Sequence, residues 1–159
     1  MPNDQDAFDR TIIEVSETID IGAAPASVWN KICEPCSLKE WHDDVDTCER
    51  SEDDQGRLAR TYVMKTTGAH PAVTMYEVEL LRSPEIMTIA YVVDVRNLPV
   101  ENYHAQITVT PISDDTCRTR IRSIFVGVDW GVPGLDPAKF VSEFYRRGLT
   151  KLRQITEAN

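Results

Sequence analysis

No apolar run in this 159-residue chain approaches the roughly 20 residues that a membrane-spanning helix requires, so no span is predicted. The N-terminal MPNDQDAFDR lacks the basic and apolar regions of a secretory signal, which makes the cytoplasm the expected compartment. Positive charge is scarce: 17 Lys and Arg stand against 26 Asp and Glu, a formal charge of −9. Such a chain repels phosphate backbones and anionic membrane surfaces, which argues against a nucleic-acid partner. A nucleophile elbow, a histidine pair on one helical turn and a phosphate-cradling glycine loop are also missing, so no motif announces catalysis.

Cysteine is limited to Cys33, Cys36, Cys48 and Cys117. With His42, the first three come near a zinc knuckle, but each later gap misses by one residue and the fold-back turn has no glycine. A redox C-x-x-C belongs between a strand and a helix N-terminus, whereas Cys33 and Cys36 close a helical pattern. The expectation is reduced structural thiols, with neither metal nor cofactor called for.

What is present suits one ordinary domain: 42% hydrophobic content at this length buries a core without staples. Residues 1–10 read as a loose polar tail and 11–159 as the domain. Ile13, Val15, Ile19 and Ile21 alternate with polar residues, the period of a half-buried strand. Pro25 then opens a short helix with Val28, Trp29 and Ile32 on one face, stopped at Glu34-Pro35. Residues 37–41 can add one turn. Six segments at near-even spacing follow, 45–50, 57–65, 73–81, 86–95, 102–111 and 116–126, separated by turn chemistry and with no room for a helical crossover.

The chain closes on a long amphipathic helix. Asp136 has the side chain of an N-cap and Pro137 suits the first helical position. Phe140, Val141, Phe144, Tyr145, Leu149, Leu152 and Ile155 recur at three- and four-residue steps, giving one apolar face. Gly148 interrupts it at a cost of about 1 kcal/mol relative to Ala; either a neighbour or ligand comes close there, or the helix tolerates the loss. The order β-α-α-β-β-β-β-β-β-α predicts an α+β fold, a seven-stranded antiparallel curved sheet around the last helix.

Taken in order, APASVWNKI, LKEWHDDVDTCE, GRLARTYVM, NLPVENYHAQITVTP and FVSEFYRRGLTKL resemble the START-like, SRPBCC superfamily, over nearly the whole chain. That resemblance implies the helix-grip fold and an internal cavity, as in polyketide cyclases, pollen allergens of the birch type and abscisic-acid receptors. TTGAHPAVTMYEVELL is similar to the receptors' gate loop and following strand, and residues 96–103 to their latch. The gate carries one extra residue, His70 before Pro71, and His42 stands where the receptors place a lysine for the hormone carboxylate. Abscisic acid is therefore not the expected ligand.

The resemblance puts His42, Arg60, Tyr62, Met64, Glu77, Tyr91, Tyr103, Ala105, Arg122, Phe140 and Phe144 around a pocket. Plainer readings stand beside these. His42 sits in an acidic stretch and also reads as a surface histidine; Arg60 and Glu77 also read as a structural ion pair between neighbouring strands; the three tyrosines also read as core aromatics. Trp29 and Trp41 read as packing residues. Arg118, Arg120 and Arg122 share one face of the last strand: local alternation turns them outward, the resemblance inward, where they would give an anionic ligand a cationic wall.

The function expected first is non-catalytic binding of a small hydrophobic or amphipathic molecule, anionic if those arginines face in, with residues 67–72 as lid. The alternatives are a polyketide cyclase or dehydratase, moving a proton with His42, Glu77 or a tyrosine, and a co-chaperone-like protein-binding module using the acidic face 43–54. A homodimer is left open.

Overall fold

A computed structural model describes residues 10–65, 73–98, 100–128, 134 and 136–158. The polar tail, except Arg10, and the lid expected at 67–72 lie outside the described residues. The elements run β1 (Arg10–Ile21), α1 (Pro25–Cys33), α2 (Leu38–Trp41), β2 (Val45–Glu52), β3 (Leu58–Met64), β4 (Thr74–Ser83), β5 (Thr88–Arg96), β6 (Val100–Ser113), β7 (Thr116–Val128) and α3 (Pro137–Glu157). This is the α+β, START-like helix-grip order.

The sheet is antiparallel throughout, in the order β1-β7-β6-β5-β4-β3-β2. Alternation decides which face each strand buries. On β7, Cys117, Thr119, Ile121, Ser123 and Phe125 turn inward, while Arg118, Arg120 and Arg122 turn to solvent. On β6, Tyr103, Ala105, Ile107 and Val109 turn inward. β6 starts two residues earlier than the sequence suggests, and its pairing with β7 slips between Glu101 and His104, around Asn102 at φ 52°.

Helix α3 lies across the inner face, against β1 and β7, with α2 at its middle. Its cap is the expected one: Asp136 accepts from Ala138 N at 3.0 Å and Lys139 N at 3.3 Å, worth about 1 kcal/mol. Val141, Tyr145, Leu149 and Leu152 are buried, each contributing about 1.5–3 kcal/mol. At the far end, Glu157 accepts from Gly22 N at 2.8 Å and ties α3 to the turn after β1. Helix α1 stops where Glu34 turns extended, φ −61° and ψ 129°, as the residue before a proline must.

Two sequence expectations need correction. The cysteines are not all reduced: Cys36 and Cys48 form a disulfide, leaving Cys33 and Cys117 free. Spacing could not show this, because the pairing arises from α2 folding back onto β2. Arg122 does not line a pocket: its side chain is 47% exposed and pairs with Glu14 of β1. Arg118 pairs with Asp20 directly opposite, and Arg120 reaches Ser16 diagonally, as Arg122 reaches Glu14, all on the outer face.

Candidate functional site

Between the sheet and α3, closed at one end by α1 and α2, lies a cavity lined by ring and aliphatic side chains with a few polar groups among them. The cavity has a volume of about 90 Å³. That is below the roughly 300–1,000 Å³ of ordinary small-molecule pockets, so any occupant has to be small. Of the residues named from sequence, His42, Arg60, Tyr62, Glu77, Tyr91, Tyr103, Phe140 and Phe144 line it. Met64 and Ala105 are buried in the core without bordering the space, and Arg122 is outside altogether.

Sheet register brings the main polar cluster together. Arg60 of β3 stands opposite Glu77 of β4. It donates to Glu77 Oε1 from Nε at 3.0 Å and Nη2 at 2.5 Å, and to Glu79 Oε2 at 3.3 Å. Glu79 in turn accepts from Arg82 at 2.6 and 2.9 Å, and Arg82 Nη1 donates to the Cys33 carbonyl at 3.1 Å. Two arginines and two glutamates cancel. Burial raises the Glu77 carboxyl above its ordinary value, with Arg60 pulling the other way. Burial is the largest influence on Arg60 and works to lower it, but Glu77, Tyr62 and Glu79 together outweigh it, so the guanidinium stays charged. The phenols of Tyr62 and Tyr91 are pushed up by burial and then by the Glu77 charge, so both remain neutral donors.

A second polar group is tyrosine-based. The Tyr103 and Tyr145 hydroxyls hydrogen-bond to each other, and the Tyr103 ring stacks on Phe125 at 5.3 Å. Burial again raises the Tyr103 phenol. Tyr145 was legible only as part of the helix's apolar face.

His42 is 1% exposed despite its acidic neighbours. Asp43 and Asp44 turn outward to Lys151 and Arg147 of α3, leaving the imidazole inside. The backbone N–H of Asp44 donates to Nδ1 at 3.2 Å, so the proton is on Nε2, which donates to the Phe144 carbonyl at 2.9 Å. Burial lowers its pKa, against the raising effect of that hydrogen bond. The ring is thus neutral with both nitrogens engaged. It fits against α3 because Gly148 has no side chain: a Cβ there would stand 2.9 Å from His42 Cδ2 and 3.1 Å from Trp41 Cζ3. The open question about Gly148 is answered by a neighbour. Trp41, expected only to pack, also lines the cavity, its Nε1 donating to Ser37 Oγ at 3.2 Å.

A family model described as polyketide cyclase / dehydrase and lipid transport matches residues 13–157. The chain belongs to this polyketide cyclase/dehydrase family. Solved structures agree with the family's START-like fold. XoxI from Bacillus cereus is 20% identical with a TM-score of 0.74, over 90% of this chain and 94% of that one. A START superfamily protein from Mycobacterium smegmatis is 14% identical, TM-score 0.73, over 91% and 98%. The Zhui aromatase/cyclase from a Streptomyces species is 15% identical, TM-score 0.71, over 93% of each chain. No curated protein matches in sequence. Like other chains of the polyketide cyclase/dehydrase family, this one has a ligand-binding type of fold; among its described residues no helix is long and apolar enough to cross a membrane.

Proposed function

We propose that the protein binds one small, largely apolar molecule in the cavity between sheet and α3, and that this molecule is neutral, with a hydroxyl or carbonyl to hydrogen-bond. The observation that carries this reading is the charge balance of the lining. Arg60 is already matched by Glu77 and Glu79, His42 is neutral, and Arg118, Arg120 and Arg122 lie on the other face of the sheet. Among the described residues a buried carboxylate ligand would meet no uncommitted cation, and the cost of desolvating it would go uncompensated. The anionic option considered from sequence therefore loses its support. Tyr62 and Tyr91 supply donors, and the aliphatic wall from Ile89, Val93 and Ile107 supplies contact area.

Poly-ketone turnover, the main alternative, would have to rest on Glu77 or a tyrosine, because His42 has no nitrogen to spare as a base. Native mass spectrometry of protein purified from its host, with a thermal-shift panel of neutral phenols and terpenoids beside the matching carboxylates, tests the proposal. At a hundred dissociation constants a true ligand adds about 2.7 kcal/mol, a Tm rise of roughly 5–10 °C. Neutral members are expected to give it and carboxylates to give little. Stabilisation by the carboxylates alone would overturn the reading.

A further inference from the structure

The disulfide joins two segments that flank the cavity. Cys36 lies in the turn before α2, next to Ser37, and Ser37 and Trp41 line the space. Cys48 stands on β2 opposite Tyr62 of β3, another lining residue. Residues opposite each other in an antiparallel pair project to the same face, so the Cys48 sulfur is on the cavity side of the sheet.

Beside the bond, that corner is held by the Lys31–Glu40 ion pair, the Ser37 hydroxyl on the Ile32 carbonyl and Trp41 against Gly148, none of which ties it to β2. Helix α2 is a single turn of four residues, too short to hold itself, and β2 is an edge strand with β3 as its one sheet neighbour. Cys36 has φ 60°, a left-handed backbone that side chains other than glycine, asparagine and aspartate rarely adopt. The far end of the segment is anchored separately, by His42 on Phe144, Asp43 on Lys151 and Asp44 on Arg147. Breaking the cross-link would therefore loosen residues 36–41 from β2, leaving the Lys31–Glu40 pair and the Trp41 contact with Gly148 to hold α2, while the other end stays docked. Both cysteines are half-buried, within reach of a small dithiol.

We propose that the Cys36–Cys48 bond is a reducible clasp on the cavity wall: oxidised, it holds α2 against β2; reduced, it lets α2 move away and weakens ligand binding. Its bearing on binding rests on the function proposed above. A thiolate of a dithiol reductant attacks one sulfur and expels the other, which takes up a proton. The reductant's second thiol then displaces the first sulfur. Two electrons and two protons pass to Cys36 and Cys48, and the reductant leaves as its own disulfide. In a reducing cytoplasm, the compartment expected from sequence, a disulfide of this kind is transient and regulatory rather than a permanent staple.

The test uses the full chain, air-oxidised or treated with dithiothreitol, together with Cys48→Ser and, as control, Cys33→Ser. Amide hydrogen exchange over residues 36–41 and titration with naphthol, a small neutral fluorophore, are the readouts. Reduction is expected to speed exchange there about tenfold and to raise the naphthol dissociation constant about tenfold, reversibly. Cys48→Ser should show the loosened state under both conditions, and Cys33→Ser should follow the unsubstituted chain. Should Cys48→Ser fail to fold, the dithiothreitol arm decides alone. Four titratable thiols in the air-oxidised, denatured protein, or exchange unchanged by reduction, would overturn the clasp. Faster exchange with equal naphthol affinity would overturn its control of the cavity. Faster exchange with naphthol bound by neither form would support the clasp while striking the binding proposal.

Discussion

The imidazole of His42 lies over the ring of Phe144, centroids 3.8 Å apart and 20° from parallel, and donates to that residue's own carbonyl at 2.9 Å. One residue of α3 is thus gripped twice, at ring and at backbone, with Gly148 providing the clearance. The grip fixes where Phe144 stands in the cavity wall, and it can be probed from either side.

Substituting Gly148→Ala tests the clearance. Helix propensity alone would favour alanine by about 1 kcal/mol, but the added methyl meets two rings that are themselves packed, and overpacking costs about 1–3 kcal/mol. Urea denaturation is expected to give a net loss of about 1 kcal/mol. A gain would mean that His42 and Trp41 yield freely.

The neutral state of His42 predicts a pH dependence. Burial places its folded pKa below the unfolded value of about 6.5, so the unfolded chain binds the extra proton first. Stability from this group is complete above about pH 6.5 and falls as pH drops from there toward the lower folded value. Asp43, Asp44 and Arg147 also act on the ring, and Glu77, raised by burial, contributes with the opposite sign. The measurement is therefore the difference between unsubstituted and His42→Gln protein from pH 5 to 8, which should narrow as pH falls. A constant difference would contradict the assignment.

Arg60 and Glu77 should be costly to separate and cheap to remove together. Glu77→Leu leaves Arg60 buried with the longer Glu79 contact and Tyr62 beside it, and is expected to lose about 3 kcal/mol. Arg60→Met combined with Glu77→Leu should recover most of it, since Glu79 keeps Arg82. If the double change costs the sum of the singles, the pair is not acting as a unit.

Arg122→Ala should hardly matter. Its partner Glu14 is exposed, and exposed pairs are worth less than about 1 kcal/mol. Affinity for any cavity ligand should stay within error by isothermal calorimetry. A large drop for a carboxylate ligand would mean that the side chain reaches the cavity after all.

Much of the fold was legible because local and tertiary preferences agree. Alternation along β6 and β7, the Asp136-Pro137 cap and the turn residues between strands all act within a few residues. The outward set of Arg118, Arg120 and Arg122 was also written in that alternation, in conflict with the family resemblance. What stayed illegible depends on partners distant in sequence. The charges beside His42 suggested exposure, and only Lys151 and Arg147 explain why those acids leave while the ring remains. Glu79 and Arg82 join the Arg60 cluster across an irregular pairing between Glu79 and Leu81, which shifts the side-chain alternation. The Cys36 to Cys48 bond depends on a chain reversal for which spacing gave no sign.

The pairing of β1 with β7 sets Arg10 opposite Val128, so β1 finds its neighbour in the sheet only after the five strands between them have been made. Contacts so far apart along the chain make for slow folding. Through most of synthesis the apolar side of β1 has no strand beside it and no α3 above it, and the nascent polypeptide is then most exposed to aggregation or in need of a chaperone.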